Sequence, residues 1–82
     1  MPKLRLLSGN EVIKFCERNG FMISRTRGSH VNMSRSVAGN KQVITIPNHD
    51  EMDRGTLHSI FRKLSSYISE EELRGFFYTS DN

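Results

Sequence analysis

Phe21-Met22-Ile23-Ser24-Arg25-Thr26-Arg27-Gly28-Ser29-His30-Val31-Asn32-Met33-Ser34-Arg35 reads as two strands joined by a turn. Phe21–Thr26 predicts the first strand, Gly28-Ser29 turns the chain back, and His30–Arg35 predicts the second. Ser36-Val37-Ala38-Gly39-Asn40-Lys41 predicts a loose connecting loop. Gln42–Ile46, rich in β-branched residues and closed by Pro47, predicts a third strand.

Helical patterns flank this sheet. Upstream, Ser8 or Gly9 opens a helix with Val12, Ile13 and Cys16 on one face and Phe15 beside them. Asn19-Gly20 ends it. Downstream of a polar loop over Asn48–Asp53, Leu57, Ile60, Phe61 and Leu64 form a single apolar stripe at helical spacing. Ser69 and Glu72 predict a capping box for a short last helix, with Leu73, Phe76 and Phe77 available for packing. The expected fold class is α+β: α-β-β-β-α plus a short C-terminal helix. Helices cover one face of a three-stranded antiparallel sheet and leave the other open. Residues 1–77 are expected to form a single domain and 78–82 a flexible tail.

Size limits what such a chain can do. With 82 residues, 35% of them hydrophobic and no tryptophan, one modest core is all it can build, because so small a domain buries only about 60% of its unfolded surface. An active site therefore lies on the surface. The net charge is +3 and unevenly spread. Residues 1–47 hold Lys3, Arg5, Lys14, Arg18, Arg25, Arg27, Arg35 and Lys41 against Glu11 and Glu17, while Asp50, Glu51, Asp53 and Glu70–Glu72 come later. The cationic middle points to an anionic partner. Cys16 is the single cysteine, which excludes an internal disulfide, and its apolar helical setting reads as packing. No run approaches the ~20 apolar residues of a membrane span, and the start has no secretory core. The cytoplasm is the expected location.

His30 is the leading candidate for chemistry, since histidine is the side chain that trades protons near neutral pH. Gly28 and Ser29 shape its turn. Arg25, Arg27, Asn32 and Lys41 lie with it on the open face of the sheet and its turns, but which of them share a face depends on register. Arg54, His58 and Arg62 recur at i, i+4, i+8 on the second helix, with Lys63 beside them, and make a basic edge suited to an RNA backbone. Ordinary solvated faces are the alternative for both sets. His49 and His58 are candidates for a second proton carrier. No metal-ligand spacing is present, so no metal and no cofactor is expected. Asp50, Glu51 and Asp53 read as loop solubility and helix N-terminal charge. Ser29 and His30 are adjacent, and adjacent strand residues point to opposite faces, so they are not read as a nucleophile–base pair.

Gly20-Phe21, Arg25-x-x-Gly28-Ser29-His30, Ile46-Pro47-x-His49 and Gly55-Thr56-Leu57-x-Ser59-Ile60-x-Arg62 together resemble the HicA toxins of prokaryotic HicA–HicB toxin–antitoxin systems. The likeness runs from about Leu6 to Leu73. It implies a fold like that of double-stranded-RNA-binding domains. It also implies an mRNA interferase, an endoribonuclease that arrests translation. By motif, His30 is then the catalytic histidine, and a HicB-type antitoxin covers it in a hetero-oligomeric complex. The chain departs from the family pattern at Arg54, where proline often precedes the glycine, and at His58, where arginine often follows the leucine. The expected chemistry is metal-independent: His30 acts as general acid or base, and Arg25, Arg27 or Lys41 stabilise charge on phosphorus. Two rival readings use the same fold: a non-catalytic RNA-binding module, and a domain whose cationic face docks an acidic protein.

Overall fold

The computed structural model describes residues 2–79. Its elements are α1 (Gly9–Arg18), β1 (Met22–Arg27), β2 (His30–Val37), β3 (Asn40–Pro47), α2 (Arg54–Leu64) and α3 (Glu70–Phe77). The fold is α+β in the expected order, with one antiparallel sheet ordered β1-β2-β3.

α1 starts at Ser8 because both halves of a capping box form. Ser8 Oγ accepts from the Glu11 N–H at 3.1 Å, and Glu11 Oε1 accepts from the Ser8 N–H at 2.9 Å. The chain leaves the helix through Asn19 and Gly20, whose φ of +92° suits glycine. The buried face carries Val12, Ile13, Phe15 and Cys16. Burial pushes the Cys16 thiol up to about 12, so it stays protonated at neutral pH and is no nucleophile.

The first hairpin closes on Gly28-Ser29, with Arg27 opposite His30. Gly28 has φ +60° and Ser29 does not share the positive angle, which is the type II′ pattern that places glycine first. β1 begins and ends one residue later than the spacing predicts, and Phe21 is buried in the core ahead of it. A bulge at Ser24 separates the pairs Ile23–Met33 and Arg25–Asn32. The two-residue turn itself puts Arg25 and Arg27 on the face of Asn32 and His30, and the extra residue at Ser24 turns Ile23 to the face of Met33.

The second hairpin corrects the sequence reading. Ser36–Lys41 is not a loose loop, because β2 and β3 pair as far as Val37 and Asn40. Only Ala38-Gly39 lies between them, with φ of +52° and +81°. Two positive angles make a type I′ turn, whose twist matches that of the strands. Alanine in the first position hid the turn, since Asn-Gly is the usual signal.

On the covered face Val31 sits opposite Ile46 and Met33 opposite Ile44, all four buried. Leu57, Ile60 and Leu64 of α2 join α1's apolar face and Leu73 and Phe77 of α3 in one core. Arg35 fastens its rim. Its guanidinium donates to Gln42 Oε1 (2.7 Å), Asn19 O (2.5 Å) and Tyr67 O (2.7 Å), and lies 4.7 Å from the Phe21 ring centre. Ser69 caps α3 by accepting from the Glu72 N–H, the serine half of the expected box. Tyr78 pairs with Leu4, and the Thr79 N–H donates to Lys3 O at 2.7 Å, because the N-terminal segment offers unpaired backbone. Ser80–Asn82 lie outside the described residues. Among the described residues, no helix is long and apolar enough to cross a membrane.

Candidate active site

The antiparallel register sorts the open face into rows. Arg27, His30 and Pro47 form the row at the Gly28-Ser29 end. Arg25, Asn32 and Thr45 form the next, Met22, Ser34 and Val43 the third, and Ser36 and Lys41 the last. His30 is exposed, with Arg27 beside it and Arg25 one row away. Lys41 shares the face but stands six residues along β2 from His30, about 20 Å at 3.3 Å per residue. That distance suits a contact along a nucleic-acid backbone, not charge stabilisation at the group His30 would touch.

Asn32 is fixed between these rows. Thr45 Oγ1 donates to Asn32 Oδ1 at 2.6 Å, and Ser24 Oγ donates to the Asn32 carbonyl at 3.2 Å. With its oxygen taken, the Asn32 amide has its NH₂ group left to donate on the open face.

The Pro47-Asn48-His49 segment folds back onto the turn. The Asn48 N–H donates to Ser29 O at 2.7 Å, and His49 Nε2 lies 3.5 Å from Ser29 Oγ. His49 thus meets the residue next to His30 in the chain. Ser29, set aside as a partner of His30, meets the other histidine. On its far side the segment is held by α1, where the Gly9 N–H donates to His49 O at 2.8 Å.

His58 goes elsewhere. At 100° per residue, Leu57, Ile60 and Leu64 point to the core and Thr56, Ser59 and Lys63 flank the β3 side, while Gly55 meets the cleft from the first turn. Arg54, His58 and Arg62 occupy the opposite flank, and Arg54 lines a shallow hollow with Leu6 and Met52. The expected basic edge therefore divides, with Lys63 alone on the side of the sheet edge.

Between that edge and α2 runs a cleft. Its wider end, about 580 Å³, is lined by His30, Thr45, Pro47, Asp53, Gly55, Thr56, Ser59 and Ile60. Its narrower end, about 280 Å³, shares Thr45, Ser59 and Ile60 and reaches Val43 and Lys63. Asp53 caps α2 by accepting from the Thr56 N–H at 2.7 Å. That bond, with a second from the Thr56 hydroxyl and a weaker pull from His49, holds the Asp53 carboxyl below its ordinary value and ionised at neutral pH. Sequence reasoning missed the cleft because its hydroxyl residues come from β3 and α2 and read singly as surface filler.

Comparison with curated proteins and with solved structures returns no match. The family model described as the HicA toxin of bacterial toxin–antitoxin systems matches residues 9–65 of the 82. That span takes in α1, the whole sheet and α2, and with them His30, His49 and every residue lining the cleft. The match is narrower than the Leu6–Leu73 likeness but keeps all four of its motifs, and on it the chain belongs to the HicA toxin family of bacterial toxin–antitoxin systems.

Proposed function

We propose that this toxin is a metal-independent mRNA interferase. The observation that supports it best is an exposed His30 beside Arg27 on an open sheet face, with Arg25 one row away and His49 against the neighbouring Ser29. In the proposed reaction one histidine takes the proton of a ribose 2′-OH. The 2′-oxygen attacks the adjacent phosphorus, the bond from phosphorus to the 5′-oxygen breaks, and the other histidine protonates that oxygen. The products are a 2′,3′-cyclic phosphate and a 5′-hydroxyl end. General acid–base assistance contributes roughly 10²–10⁴-fold. Arg25, Arg27 and the Asn32 NH₂ group stabilise the charge that develops on the phosphorane oxygens.

The antitoxin in this reading is a HicB-type protein that covers His30. An acidic blocker on this cationic face associates faster at low salt, through steering. Messenger RNA incubated with the purified protein in excess chelator tests the enzyme. Cleavage should fall at least about 100-fold in His30→Ala. RNA binding without cleavage by the parent chain would instead support a shape-reading RNA module. Absence of RNA binding would leave a protein-docking domain.

A further inference from the structure

We propose that the cleft between β3 and α2 holds the nucleobase beside the scissile phosphate, and that Asp53 selects a base bearing an exocyclic amino group. This rests on the ribonuclease reading above. His30 forms part of the cleft wall, so a ribose and phosphate at His30 bring their own base to its mouth. Half-buried Pro47 offers an apolar surface to a flat ring, with the buried Ile60 at the floor, and Thr45, Thr56 and Ser59 add hydroxyls. About 580 Å³ lies within the range of small-molecule sites.

Charge decides what enters. The ionised Asp53 carboxylate repels phosphate, so the RNA backbone stays with Arg25 and Arg27 on the sheet while the cleft receives an uncharged group. A carboxylate only accepts hydrogen bonds. Adenine, guanine and cytosine each present an amino group that donates. Uracil has none, and its single N–H lies between two carbonyl oxygens that a carboxylate opposes. The narrower end of the cleft reaches Lys63, which can meet the next phosphate along the strand.

The test is an oligonucleotide set identical except for the base flanking the cut, assayed with the parent protein, Asp53→Asn, Ser59→Phe and His30→Ala. Asparagine caps a helix about as well as aspartate, so Asp53→Asn keeps α2 while replacing an acceptor by a group that also donates. The parent should cut the uracil substrate about tenfold more slowly than the others. Asp53→Asn should bring that ratio close to one, a readout independent of overall rate. Ser59→Phe, which fills the mouth from an exposed helix position, should raise KM for every member. An unchanged uracil ratio in Asp53→Asn and an unchanged KM in Ser59→Phe, with cleavage still lost in His30→Ala, overturn the base-cleft proposal alone. Failure of the parent to cut any RNA overturns the ribonuclease reading, and the cleft proposal with it.

Discussion

Gly9 sets the position of His49 by leaving space. A Cβ at Gly9 would lie 2.6 Å from Asn48 Cα and closer still to the Pro47 carbonyl oxygen, both of them backbone. The segment that carries His49 packs directly on the first turn of α1 and is hydrogen-bonded to it through the Gly9 N–H. Helix propensity alone would favour alanine there by about 1 kcal/mol. Overpacking against backbone costs about 1–3 kcal/mol, so Gly9→Ala should be net destabilising in urea unfolding. It should also shift the His49 imidazole resonances in NMR and leave those of His58 in place. A stabilised protein with unmoved His49 signals would show that the contact does not set the loop. The sequence marks Gly9 only as a residue near a helix start; the close approach comes from a loop some forty positions later.

Local signals made the helices readable, while strand pairing hid one detail of the sheet and an unusual turn residue hid another. Ser8, Asp53 and Ser69 all cap helices through their own third neighbours, a chemistry visible in the chain. The Ser24 bulge has no sequence mark, because it arises from how β1 must pair to put Ile23 over Met33 while Arg25 meets Asn32. The Ala38-Gly39 turn was hidden by its alanine, and that residue is also strained. A left-handed angle costs an ordinary L-residue about 1–2 kcal/mol, and asparagine tolerates it better. Ala38→Asn should therefore stabilise the protein by about 1 kcal/mol in urea titration. A loss of stability would mean that the turn is not type I′ in solution. At α2 the prediction concerns pH. The Asp53 carboxyl is depressed in the folded protein, so its contribution to stability is complete above the ordinary value of 3.8. It is lost as pH falls through the folded value. Thermal melts of the parent and Asp53→Asn should converge in Tm between about pH 5 and pH 2 if the parent starts higher. A Tm difference that stays constant with pH would refute the charge contribution.

Over the whole molecule, twelve basic and nine acidic side chains give a surplus of three, too small to define a partner without their arrangement. His30, the residue proposed for chemistry, stands out in the sequence because Gly28-Ser29-His30 lies in one local stretch. The division of the arginines does not, because it depends on the register that the Gly28-Ser29 turn imposes and on the side of α2 that meets β3. Arg25 and Arg27 join His30 on the open face, whereas Arg54 and Arg62 lie on the flank of α2 turned away from the cleft. This arrangement predicts which cations touch RNA. Each phosphate neutralised on a single strand releases counterions and steepens the fall of log K against log salt by about 0.7. With His30→Ala as the background, so that RNA stays intact, Kd should be measured across a salt series. Adding Arg25→Ala or Arg27→Ala should flatten the slope by about 0.7 each. Lys41→Ala should do the same if the strand runs the length of the sheet, since Lys41 stands at its far end. Arg54→Ala and Arg62→Ala should leave the slope unchanged. A slope that depends on Arg62 and not on Arg27 would move the RNA to the outer flank of α2. His30 and the cleft would then lie off its path.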